Sequence, residues 1–202
     1  MSTIQWTDKF FVSLRRLFGG AAAICLISGS VWAQSASQPA QQHADSSVDG
    51  AFSELADPDN AAWARAQSDI ERAWSRSGSA AMDLLLKRGE DALDQGDTEA
   101  AIEHLTALTD HAPDFAEGWN TRAQAYYMAG LYGPAISDLA QTLRLEPRQW
   151  VALAGIGMIL EETGDNKRAL KAYQASFGLN PHQQDVKDAI DRLEKMLGGT
   201  PL

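Results

Sequence analysis

After residue 50 the apolar residues of the chain fall three and four apart, which is the period of a helix with one buried face. Trp63, Ala66, Ile70 and Trp74 make one such stripe, while Arg65, Asp69, Glu71, Arg72 and Arg76 occupy the other faces. Phe52 and Leu55 fit a shorter helix before it. That helix stops near Asp57-Pro58, because the residue before a proline is pushed out of the helical region. Asp59 or Asn60 then caps the helix that follows, and Gly78 ends it. A stripe this apolar needs a cover, and the first segment downstream is the nearest apolar surface in the sequence. At the other end Val186, Ile190, Leu193 and Leu197 predict a last amphipathic helix from His182 to about Leu197, ended by Gly198-Gly199.

Between these two regions the pattern repeats. Glycine stands at Gly96, Gly130 and Gly164, alanine at Ala101, Ala135 and Ala169, and proline at Pro113, Pro147 and Pro181, each series with a 34-residue period. Such a period predicts stacked helix–turn–helix units. The glycines suit the left-handed conformation that ends a helix. The prolines, which cannot continue a helix, mark the start of the next unit. Gly89, Ala123 and Gly157, together with the three alanines, are small where the two helices of a unit cross closely.

The middle unit carries Trp119, Ala123, Tyr126, Gly130, Tyr132, Ala135, Leu139, Leu143 and Pro147. It resembles the tetratricopeptide-repeat (TPR) pattern. The first unit, with Leu85, Gly89, Ala92, Gly96, Ala101, Leu105 and Pro113, fits the same pattern. So does the third, with Leu153, Gly157, Leu160, Gly164, Ala169, Tyr173 and Pro181. Arg88 and Arg122 depart from it where leucine is preferred, as do Leu108, Thr142 and Ser176 where alanine is. The segment from Trp74 to Leu86 looks, more loosely, like a group of exported TPR proteins of alphaproteobacteria. The resemblance implies an all-α, right-handed superhelical array. Its first repeat spans 82–115, its second 116–149 and its third 150–181. A degenerate helical cap at 50–81 precedes them, and a capping helix and tail at 182–202 follow.

The start of the chain differs in kind. Lys9, Arg15 and Arg16 precede an apolar run from Leu17 to Trp32, which closes with Val31-Trp32-Ala33 before Gln34. This reads as a secretory signal peptide over 1–33. The run is diluted by Gly19, Gly20 and Gly29 and falls short of the roughly 20 apolar residues of a spanning helix. An N-terminal membrane anchor is the alternative. Arg15-Arg16-Leu17-Phe18 partly resembles a twin-arginine signal, although Leu14 stands where that signal has Ser or Thr. Residues 34–49 are polar, low in complexity and read as a disordered tether. The expected location is therefore the periplasm of a Gram-negative bacterium.

Composition narrows the partners. The net charge of −10 repels phosphate backbones and anionic lipid, which disfavours nucleic acid and stable membrane association. Cys25, the single cysteine, lies within the signal, so the mature chain has no disulfide and no thiolate metal site.

The TPR resemblance places a binding groove on the first helix of each unit. In the first unit the groove positions are Asp83, Leu86 and Glu90. In the second they are Glu117, Asn120, Gln124 and Tyr127. In the third they are Val151, Ala154, Met158 and Glu161. The best-known groove of the family clamps a C-terminal carboxylate with basic residues and Asn. The corresponding positions here, Leu86, Glu90, Thr121, Val151 and Gly155, hold no base, so that clamp is absent. A groove that is apolar and polar with acids around it suits a protein or peptide with an apolar face and basic residues. Tyr127, an aromatic with a polar tip, is the expected hot spot, with Asn120 and Gln124 on the same face. Its rival role is core packing against Val151. His104 and His111 lie seven apart, too far for a helical zinc pair. No nucleophile–His–acid set and no phosphate loop is present, so neither a cofactor nor an enzyme activity is expected. The expected function is a non-enzymatic exported scaffold that binds its partner through the groove. The alternative is an assembly factor of an envelope complex acting through the outer faces.

Overall fold

The computed structural model describes residues 48–198. The signal peptide, the tether up to residue 47 and the tail from 199 lie outside the described residues. Within them the chain is helical and has no strand. The helices are α1 (48–55), α2 (Trp63–Trp74), α3 (Ala80–Asp94), α4 (Thr98–His111), α5 (Ala116–Met128), α6 (Tyr132–Leu145), α7 (Trp150–Glu162), α8 (Asn166–Leu179) and α9 (Gln184–Gly198). Val48 and Asp49, read in the sequence as tether, belong to α1. No helix among the described residues is long and apolar enough to cross a membrane.

The helices α3–α4, α5–α6 and α7–α8 form three pairs, and each second helix packs on the first helix of the next pair. The first helices α3, α5 and α7 also touch in series. This is the all-α TPR array. Its turns repeat one hydrogen-bond pattern. Gly96, Gly130 and Gly164 have φ of +74°, +73° and +83°, and the N–H after each glycine bonds back five residues: Asp97 to Ala92 O, Leu131 to Tyr126 O, Asp165 to Leu160 O. Asp97 and Asp165 then cap the next helix by accepting from the N–H of Ala100 and Arg168. The middle turn has no such cap. Leu131 offers no oxygen, and Pro134, in the place of Ala100, has no N–H.

The close crossings fall where the small residues stand. A Cβ on Gly89 would lie 2.5 Å from Leu105 Cγ, and one on Gly157 would lie 2.7 Å from the Tyr173 ring. Ala101, Ala135 and Ala169 are fully buried. Around them Leu86, Leu93, Leu105 and Leu108 fill the first unit. Leu139 and Ile159 pack with Ala123, Ala135 and Ala152 between the second and third. Each buried leucine contributes about 1.5–3 kcal/mol.

The N-terminal pair α1–α2 sits elsewhere than the sequence suggests. Its stripe does not cover the first repeat, whose Leu84 stays 49% exposed. Phe52, Leu55, Ala66 and Ile70 gather instead with Trp150 and Val151 at the start of α7 and Leu179 at the end of α8. The reason lies in Trp150, an indole presented at a turn. Phe52 meets it edge-on with ring centroids 6.1 Å apart, and Trp74 packs on it at 4.5 Å. The stripe ends at Trp74, and Gly78, with φ +81°, turns the linker four residues later instead of ending the helix. Asn60 holds the preceding turn, accepting from Ala62 N–H and donating to Glu54 O, without capping α2 itself.

Candidate functional site

The first helices α3, α5 and α7 carry the eleven groove positions, and the structure gives these positions different surroundings. Asp83, in the first turn of α3, accepts from the backbone N–H and hydroxyl of Ser77 at 2.8 and 2.6 Å, which fixes the linker from α2. Leu86 is buried in the core of the first unit. Ala154 and Met158 are buried on α7. Glu161 accepts from Arg192 Nη2 at 2.6 Å and from the Tyr173 hydroxyl at 3.1 Å, joining α7 to α8 and α9. Val151 packs against α1–α2.

Glu90, Glu117 and Asn120 come together. Glu117 is the hub: it accepts from Asn120 Nδ2 at 3.1 Å and from Gln149 Nε2 at 2.6 Å. Burial pushes its carboxyl above the usual range, the three side-chain hydrogen bonds from Asn120, Gln149 and Thr121 oppose that, and the charge of Glu71 adds to it. Glu90 is pushed up to about 7, first by burial and then by repulsion from Glu117. Glu71, on α2, is raised by burial as well, against the hydrogen bond it accepts from Gln67. Three carboxyls from α2, α3 and α5 thus share one poorly solvated region.

Gln124 and Tyr127 lie further along α5, both half-buried. The Tyr127 hydroxyl donates to Glu162, and its ring stacks on Tyr132 with centroids 5.8 Å apart. Burial and the Glu162 carboxylate raise its pKa well above the ordinary tyrosine value. Its ring packs on the α5–α6–α7 core. Asn120 is 2% exposed. Gln124 is therefore the polar groove position on α5 whose substitution disturbs the fold least.

Sequence reasoning missed the surface on which α1–α2 rest. It follows the turns that lead into α7 and α9. Arg148 pairs with Asp49 at 2.7 Å and lies 3.9 Å above the Phe52 ring. Asn180 donates to Gln67, His182 contacts Asp57 O at 3.1 Å, and the His182 ring stacks on Trp63 with centroids 4.6 Å apart. One signal was available. Trp150 stands where the preceding unit has Ala116 and the following one has Gln184. A large aromatic out of register with its repeats marks a surface with a task of its own. Among the described residues no group of three or more His, Cys, Asp and Glu side chains is placed to hold a metal ion.

Comparison with known proteins agrees with this architecture. Tetratricopeptide-repeat family models match residues 86–140 and 152–183. A TPR repeat-containing protein of Rhizobium etli is 32% identical over 166 residues, covering 79% of this chain and 80% of that protein. Among solved structures, the first TPR of Spaghetti (RPAP3) bound to the HSP90 peptide SRMEEVD aligns with a TM-score of 0.56 at 21% identity, over 58% of this chain and 94% of that one. MamA protein aligns with a TM-score of 0.54 at 21% identity, over 79% and 78%. By its repeat period, its helix pairs and its Rhizobium etli relative, the chain belongs to the tetratricopeptide-repeat family.

Proposed function

We propose that the protein is a non-catalytic scaffold, exported to the bacterial envelope, that binds a protein or peptide partner through the face formed by α3, α5 and α7. The observation that carries this reading is the polar cluster on that face, where Glu117 of α5 accepts from Asn120 and Gln149 and Glu90 of α3 stands close enough to be repelled by it. The RPAP3 TPR, solved with an HSP90 peptide, supports the reading by analogy of fold. The acids along the face suit a partner with basic residues. Export rests on the basic start, short apolar run and Ala33 of residues 1–33.

The rival reading, an assembly factor acting through the outer faces, draws on the exposed Leu131 and Leu145 at the two ends of α6. A photo-crosslinking residue placed in turn at Gln124 and at the exposed Ser137 of α6 separates the two in intact cells. The groove reading expects a specific crosslinked protein from Gln124 alone. Crosslinks from Ser137 alone would give the outer-face reading. The absence of adducts at both positions would remove the scaffold reading.

A further inference from the structure

The outer sides of the second helices α4, α6 and α8 differ in charge although their register is the same. At two positions of the repeat the units carry Glu99, Gly133 and Lys167, and Glu103, Ser137 and Lys171. All six residues are exposed. Positions one 34-residue period apart face the same side of the array, so this side is acidic on α4, neutral on α6 and basic on α8. Among the described residues no ion pair within the chain uses any of the four charges. Each pair is unfavourable where it stands. Glu99 and Glu103 are like charges at i and i+4, as are Lys167 and Lys171, and that spacing repels. Elsewhere the same spacing holds opposite charges: Lys87 with Asp91 at 2.8 Å and Lys187 with Asp191 at 2.6 Å. Lys167 also sits in the first turn of α8, at the end of a helix that disfavours a base.

A two-fold axis running along α6 relieves these repulsions. It lays α4 of one copy over α8 of the other and keeps the register, so each glutamate meets the lysine of its own repeat position. An axis across α6 would set α4 on α4, acid on acid, so the order of charges selects the first. Residues on the axis meet their own copies, and a charge there would meet its like. Gly133 and Ser137 stand there instead. Nothing inside the chain asks for the glycine: it lies in the first turn of α6, and a Cβ on it would meet no atom within 4 Å. Glycine weakens a helix relative to alanine, and its gain here lies outside, in the close approach of a second helix. The next charge on this side of α6 is Arg144, two turns beyond Ser137, where Gln141 holds the guanidinium against its own helix. A foreign protein would need the same order of charges on a matching face. A second copy has it by symmetry.

We propose that the outer face of α4, α6 and α8 is a self-association surface, on which a second copy of this chain docks about a two-fold axis along α6, with Glu99 and Glu103 of each copy set against Lys167 and Lys171 of the other. The charges fix the orientation and exclude the reversed one. The first-helix face takes no part, so the dimer carries two copies of it and can hold two partners at once. Self-association of this kind is independent of what the first-helix face binds.

Sedimentation velocity of the full mature chain and three charge variants tests this. The natural chain is expected to dimerise as its concentration rises to about 0.1 mM. Glu99→Lys with Glu103→Lys sets base on base, and Lys167→Glu with Lys171→Glu sets acid on acid. Each is expected to raise the dimer dissociation constant about tenfold or more. An equimolar mixture of the two should associate about as tightly as the natural chain. So should the variant with all four changes, whose net charge is that of the natural chain. The four sites are exposed, and circular dichroism checks each fold. Should the fourfold variant fail to fold, the mixture still decides. A photo-crosslinking residue at Ser137 should join two copies of this chain, whereas a foreign protein is expected from Gln124 alone. A natural chain that stays monomeric over this range overturns the inference, as does a dimer that ignores both reversals or a mixture that fails to associate. A foreign protein crosslinked at Ser137 to a chain that is itself monomeric would assign the outer face to that protein and overturn it as well.

Discussion

The Arg122 guanidinium grips the Asp138 carboxylate through two parallel hydrogen bonds, Nε to Oδ2 at 2.7 Å and Nη2 to Oδ1 at 3.0 Å, inside the middle repeat. Its remaining nitrogen donates to Thr109 Oγ1 at 2.8 Å, and its Cζ lies 4.8 Å from the centre of the Trp119 ring. One side chain thus joins α4, α5 and α6. In the sequence Arg122 is only a departure from the leucine of the TPR pattern; in the fold it is a polar cross-brace with its charge matched.

Breaking this pair from one side should be severe. Asp138→Ala leaves a nearly buried guanidinium without its carboxylate and is expected to cost about 3–5 kcal/mol. Restoring the pattern with Arg122→Leu together with Asp138→Leu should recover most of that loss, because apolar residues of similar volume replace a desolvated pair at little cost. Urea denaturation followed by circular dichroism measures both. A double variant no more stable than Asp138→Ala would show that the brace does more than match charge.

The small residues at the crossings are expected to be intolerant of a single methyl group. Gly157→Ala places a carbon 2.7 Å from the Tyr173 ring, which is itself fully buried and cannot swing away. The expected loss is about 1–3 kcal/mol by overpacking, despite the higher helix propensity of alanine. A thermal melt unchanged or raised would mean that α7 and α8 separate easily.

The carboxyl cluster gives the fold a pH dependence of definite sign. Glu90 holds its proton more tightly when folded, with a pKa pushed from 4.5 to about 7. Its favourable contribution is therefore complete below 4.5 and is lost as pH rises to about 7. Glu71 and Glu117 are shifted in the same direction. The melting temperature of Glu90→Gln should exceed that of the natural chain at pH 7.5, and the gap should close toward pH 4.5. A gap that stays constant across this range would show that Glu90 titrates as an ordinary surface glutamate.

The array was legible because its signals are local and repeated. The left-handed glycines, the crossing alanines and the prolines before α5, α7 and α9 each act within one unit, so the 34-residue register was enough to place them. What was not legible depends on contacts between distant segments. The stripe Trp63–Ile70–Trp74 announced that it needed a cover, but periodicity carries no information about which surface supplies it. Trp150, Asn180 and His182 supply it from more than 75 residues away. The groove positions show the same division. The family resemblance named Glu90, Glu117 and Asn120, but only packing reveals that Gln149 completes the network and that Glu161 is held by Arg192 and Tyr173.

The proposed export makes a separate demand on the N-terminus. Cleavage after Ala33 would leave Gln34 as the first residue of a chain without cysteine. Intact-mass spectrometry of protein recovered from the periplasmic fraction should give that mass. Recovery of the unprocessed chain from the cytoplasm would contradict export, and its retention in the inner membrane would favour an anchor.

The most direct test of the binding face is the affinity of the partner crosslinked through Gln124, measured by calorimetry against two variants of the mature protein. Gln124 is half-buried on α5 in the middle of the array, whereas Ser137 is exposed on α6. Gln124→Ala should weaken binding about tenfold with little change in melting temperature, and Ser137→Ala should leave affinity unchanged. A partner that binds Gln124→Ala as tightly as the natural protein, yet is lost with Ser137→Ala, would contradict binding through the first-helix face.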